Sequence, residues 1–157
     1  MAEREEMLKL VERLAEEEIE YARELEETAS KIRHPVLRAL FQGIARDSEK
    51  HSLYYKAIAE YLRGSPFLSE DELKAIEEAI EKHIEEESKG IQEAKEMLEK
   101  TSDPKLKLLF AAILEDEKRH HALLIDIRDK IARKETVTED DFWEAVWRDS
   151  PFHGTPG

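Results

Sequence analysis

Glu117 and His120 lie three residues apart in Leu114–Leu124, which reads L-E-D-E-K-R-H-H-A-L-L. On a helix the two side chains project from one face, one turn apart. A carboxylate and an imidazole on a core-facing stripe are the means by which helical bundles offer ligands to metal ions. In a chain with 38 Asp and Glu among 157 residues, one such pair carries little weight by itself. Its meaning depends on the elements that must position it.

Those elements are four long helical segments. The first, from about Ala2 to Ile32, carries Met7, Val11, Leu14, Tyr21, Leu25, Thr28 and Ile32 at alternating steps of four and three, with Glu18 in the single gap. The second begins at Pro35, a residue suited to a first helical turn, and carries Leu37, Phe41, Ile44, His51, Tyr55, Ile58 and Leu62, with Ser48 in its gap. Gly64-Ser65-Pro66 ends it. Ser69 with Glu72 forms a capping box that opens the third, whose stripe Ile76, Ile80, Ile84, Ile91, Ala94 and Leu98 is interrupted by Glu87. Asp103-Pro104 caps and opens the fourth, and Glu117 and His120 fill the two places missing from Leu106, Phe110, Ile113, Leu124, Ile127 and Ile131. Thr138 with Asp141 signals a short further helix bearing Phe142, Trp143, Val146 and Trp147, and Ser150–Gly157 is too rich in Pro and Gly to continue it. The expected organisation is all-α: a four-helix bundle over 1–134 and a short helix with an irregular tail over 135–157.

The four helices form two copies of one hairpin. A shift of 69 residues places Pro35–His51 on Pro104–His120 with seven of 17 positions identical, among them Asp47/Asp116 and His51/His120. The same shift places Glu18 on Glu87, two residues selected from separate stripes. Residues equidistant from the turn of an antiparallel hairpin lie at one level. By that rule Glu18 lies level with Ser48 and His51, and Glu87 with Glu117 and His120. All of them can converge on one layer of a core.

Composition removes several alternatives. The absence of cysteine excludes disulfides, thiolate-bound zinc, iron–sulfur centres and thiol catalysis. No apolar run approaches the roughly 18 residues that span a bilayer, and the acidic Met1–Glu6 lacks the apolar centre of a signal peptide. A net charge of −13 argues against nucleic-acid and anionic-membrane partners. A cytoplasmic protein is expected.

Buried carboxylates without partners cost several kcal/mol or take up protons, so three carboxylates and two histidines in one layer are best explained by cations. Oxygen and imidazole donors without thiolate suit iron, manganese or zinc. The repeated pattern of a Glu followed by E-x-x-H resembles the ferritin-like superfamily, most closely its rubrerythrin branch, over about residues 3 to 134. The resemblance implies a di-iron carboxylate site in which Glu18 and His51 hold one metal, Glu87 and His120 the other, and Glu117 bridges them. It also implies that Asp47 and Asp116 support a histidine across the site, setting its tautomer and basicity. Tyr21, one turn from Glu18, is placed to hydrogen-bond a ligand carboxylate or a bound oxygen species. His83, one turn before Glu87, is read as a helix-face residue rather than a further ligand, and His121 as exposed.

The first motif departs from the pattern. It reads Ser48-Glu49-Lys50-His51, so one of two expected bridging carboxylates is replaced by a short neutral hydroxyl. The site then holds two metals unevenly, holds one, or admits a water where the bridge would be. The thiolate-ligated iron module of full rubrerythrins is also absent, so electrons must come from an external donor or from the metal substrate. Peroxide reduction or ferrous oxidation is the activity that the resemblance implies. A redox-silent metal-binding or storage protein, and an interaction module working through Trp143 and Trp147, are the alternatives. Only about six residues link the second helix to the third, reaching about 21 Å when extended, whereas 28-residue helices are roughly 40 Å long. The parallel crossover of a ferritin-like bundle therefore favours a homodimer with exchanged hairpins over a single-chain bundle, and an all-antiparallel bundle is the other solution.

Overall fold

The computed structural model describes residues 2–64 and 68–129. It contains four α-helices, α1 (Ala2–Ser30), α2 (Pro35–Gly64), α3 (Glu70–Lys100) and α4 (Pro104–Ile127). Among the described residues there is no strand, and no helix is long and apolar enough to cross a membrane. The all-α class and the four helices expected from the stripes are those observed. The segment 135–157, with its expected short helix, and the linking residues 65–67 lie outside the described residues.

The helix ends follow local chemistry. Ser69 Oγ accepts from the Glu72 amide at 3.2 Å while Glu72 Oε2 accepts from the Ser69 amide at 2.8 Å, closing the capping box. These bonds to the Ser69 amide and hydroxyl hold the Glu72 carboxyl below its usual pKa. Asp103 Oδ1 accepts from the amides of Lys105 and Leu106 at 2.8 and 3.3 Å, and Pro104 occupies the first turn, where no amide hydrogen is needed. Caps of this kind contribute on the order of 1 kcal/mol each. At the end of α2, Gly64 adopts φ 132°, a conformation that side-chain-bearing residues rarely take.

The helices pair as two hairpins, α1 with α2 and α3 with α4. In the first, Arg4 Nε donates to the Leu62 carbonyl at 2.6 Å and Ser52 Oγ donates to the Ala15 carbonyl at 2.8 Å, and Arg46 pairs with Glu26 at 3.5 Å. The start of α1 thus meets the end of α2, and the middles meet each other, as an antiparallel pair requires. In the second, Arg128 reaches Glu81 at 3.5 Å and His120 lies beside Glu87.

Within the first hairpin the buried residues include the stripe positions Val11, Leu25 and Ser48 and a second row beside them. Ala15, Ala22 and Ala29 of α1 and Ala45, Ser52 and Ala59 of α2 are buried, each one residue beyond a stripe position. Small side chains in that second row let two backbones come close. Tyr21, Ile44 and Ile58 on the stripe stay about half exposed. Ala22, Leu25 and Ala45 form the centre of this contact, with Phe41 packed against them. In the second hairpin Ile80, Ala94 and Leu114 are buried, and Leu106 and Ile113 remain exposed.

Candidate metal centre

Each hairpin brings a glutamate and a histidine together across its two helices. Glu18 Oε1 lies 3.4 Å from His51 Nδ1, and Glu87 Oε2 lies 3.6 Å from His120 Nδ1. Within each pair glutamate and histidine are 33 residues apart, and both pairs use the same imidazole nitrogen. Both glutamates are about three-quarters buried on their side chains, whereas both imidazoles are about half exposed. The repeat in the sequence is therefore a repeat in geometry.

The hairpins differ in the third residue. In the second, ligand atoms of Glu87, Glu117 and His120 all lie within 4.8 Å of one another. Glu87 Oε2 is buried without a hydrogen-bond partner. The Glu117 carboxyl is pushed above its usual pKa, first by a hydrogen bond shared with Glu87, then by burial, then by repulsion from the Glu87 charge, against the opposing pull of His120. Two carboxyls held side by side, one with an orphaned oxygen and the other reluctant to ionise, form a donor set whose repulsion a cation would offset. Two oxygens and one imidazole nitrogen fit iron, manganese or zinc. The first hairpin has Ser48 at the place of Glu117. It is buried, at 4% exposure, and among the described residues Glu18 and His51 belong to no group of three such donors.

Asp47 pairs with Lys50 at 2.5 Å and Asp116 with Arg119 at 2.7 Å, so each acid grips a cation one turn along its own helix. Tyr21 is 50% exposed. His83 is exposed and stands outside the ligand group. His121 corrects expectation: it is half-buried rather than exposed, as fits the repeat equivalent of the fully buried Ser52.

One residue at the centre escaped the sequence reading. Gly90 sits in α3 so close to Glu117 that a Cβ there would lie 2.7 Å from Glu117 Oε2. The available signal was a glycine inside a strongly helical segment, where it weakens the helix by about 1 kcal/mol relative to alanine and asks for a reason.

Comparison with known proteins gives one family. The Rubrerythrin family model matches residues 26–127, well over half of the chain. The match includes Ser48, His51, Glu87, Glu117 and His120 and begins after Glu18 and Tyr21. No curated protein and no solved structure matches the chain.

Proposed function

The chain belongs to the rubrerythrin family, and on that premise we propose that it is a metal-binding oxidoreductase of the non-haem di-iron type. The carrying observation is the convergence of Glu87, Glu117 and His120 around an unpartnered carboxylate oxygen. In this reading Glu87, Glu117 and His120 hold iron, with manganese or zinc as competing occupants, and Glu18 and His51 supply the second, poorer set of ligands. Bound iron would supply the family's redox chemistry, peroxide reduction or ferrous oxidation. The protein's own part is to fix the donors: each glutamate is held against its histidine, and the Glu117 carboxylate is held beside Glu87, where a bound cation would offset their repulsion. With no cysteine in the chain, electrons come from an external donor or from ferrous iron itself.

Ser48 favours a second reading, a redox-silent metal-binding protein with one good half-site. Anaerobic loading with ferrous iron, followed by metal analysis and peroxide addition, separates the two. Two irons per chain and rapid oxidation on peroxide addition support the oxidoreductase. One metal without peroxide consumption supports the silent protein. A chain that retains no metal, and whose melting temperature is unmoved by ferrous iron or manganese, removes both.

The same reading makes the protein a homodimer that exchanges hairpins. Tyr21, Ile44 and Ile58 in the first hairpin, and Leu106 and Ile113 in the second, are exposed apolar side chains on the stripes that carry the ligands. A second copy would cover them. Light scattering on the purified protein should give twice the 18.3 kDa chain mass, and a monomeric mass at micromolar concentration rules the exchange out.

A further inference from the structure

The backbone gives no reason for a glycine at position 90, since among the described glycines only Gly64 has positive φ. Alanine would serve the helix better. The reason lies in side-chain space: a Cβ at 90 would meet Glu117 at 2.7 Å from Oε2 and 3.0 Å from Cδ. A contact under 3.0 Å forces a shift, and the atom that would move is the end of a flexible side chain. The fold would survive, but the carboxyl would leave its place beside Glu87 and His120.

The first hairpin shows the converse. The shift of 69 puts Tyr21 on Gly90 and Ser48 on Glu117, in hairpins whose glutamate–histidine separations are 3.4 and 3.6 Å. Where the residue at the bridging position is long, the residue facing it has no side chain. Where the bridging residue is short and buried, the repeat equivalent of Gly90 is a tyrosine, half exposed. An exchange of the same kind occurs about one turn along α1 and α3, with Leu25 and Ala45 in the first hairpin and Ala94 and Leu114 in the second, all four buried. In each pair the larger side chain changes helix between the two hairpins, and in the Leu/Ala pair total size is conserved as well.

We infer that positions 21 and 90 are positioning residues that decide which hairpin can carry a carboxylate at its bridging position. Gly90 makes the room that Glu117 occupies, and Tyr21 closes the equivalent room in the first hairpin. The unequal site is then a built feature with two coupled positions, not the loss of one ligand, and Ser48→Glu alone does not restore a bridge. This rests on the reading of Glu117 as a metal ligand.

The test uses the full chain and anaerobic ferrous iron. Gly90→Ala should melt, metal-free, at or above the wild-type temperature, yet bind ferrous iron at least about tenfold more weakly, as displaced ligand support generally does. A crystal structure of metal-free Gly90→Ala should show the Glu117 carboxyl moved away from Glu87 and His120. Ser48→Glu should bind ferrous iron no better than wild type, and Tyr21→Gly/Ser48→Glu at least about tenfold better than Ser48→Glu. An unmoved Glu117 with unchanged affinity in Gly90→Ala overturns the inference, as does a gain from Ser48→Glu alone equal to that of the double variant. If the wild-type chain binds no ferrous iron, the metal reading fails, and the metal-free structure of Gly90→Ala still decides the steric claim. If the double variant loses its helical signal, the Gly90→Ala measurements decide alone.

Discussion

Glu117→Gln is expected to raise the melting temperature of the metal-free protein at neutral pH while removing its stabilisation by ferrous iron. The two effects have one cause. Folding puts the Glu117 carboxyl beside Glu87, partly out of water, and so lifts its pKa above the ordinary 4.5. A carboxyl with a raised folded-state pKa binds its proton more tightly folded than unfolded. Stability from this group therefore increases as pH falls from the raised value towards 4.5, and is constant below that, where both states are protonated. Above the raised value the fold bears the full penalty of the charge. Glutamine keeps the shape and never ionises, so it removes the penalty at neutral pH and flattens this part of the pH profile. The gain is small, because the side chain is only partly buried and solvent screens the pair.

The loss with metal is much larger. A cation that binds only the folded state stabilises by about 2.7 kcal/mol at a hundredfold excess over its dissociation constant, or roughly 5–10 °C in a domain of this size. Glutamine's neutral amide removes an anionic donor, and most of that increment should disappear. Differential scanning fluorimetry under nitrogen, with and without ferrous iron and over a pH series from below 4.5 to neutral, reads both effects. An iron-dependent shift as large in Glu117→Gln as in wild type would take Glu117 out of the ligand set. A lower metal-free melting temperature at neutral pH would show that its charge is satisfied within the fold.

The parts of this protein that were legible in its sequence are those fixed by local chemistry. Caps at Ser69 and Asp103, the stop at Gly64 and the stripe periods marked the first three helices and the start of the fourth to within a residue or two, because each depends on neighbours close in the chain. The pairing of Glu18 with His51 and of Glu87 with His120 was legible because an antiparallel hairpin converts sequence distance from its turn into height. The row of small buried residues beside the stripe was not. Periodicity weights large apolar residues, whereas the approach of two backbones is decided by where side chains are small, and Ala15, Ala22, Ala45 and Ser52 lie one position off the stripe. Gly90 was missed for a related reason. Its role is the space beside Glu117, and space at one position is defined only when the facing helix is present.

The same relation governs a stability prediction. Ala45 has no accessible surface and packs with Ala22, Leu25 and Phe41. Leucine there must either push α1 and α2 apart or take strained rotamers, at a cost of about 1–3 kcal/mol. Leu25→Ala leaves a cavity at the same contact and should cost about 2–5 kcal/mol. Adding the two predicts a badly destabilised double variant. The second hairpin argues otherwise, since at the equivalent positions it carries Ala94 and Leu114, both buried. Leu25→Ala/Ala45→Leu rewrites the first hairpin with the partition used by the second, conserving volume across the contact. It should recover most of the loss, with a favourable coupling of 1 kcal/mol or more, of the order found between residues in direct contact. Denaturant unfolding of the wild type, both single variants and the double variant measures that coupling. Additive losses would mean that the two hairpins do not share one packing register, and would remove the structural basis for treating Tyr21 and Gly90 as equivalent positions.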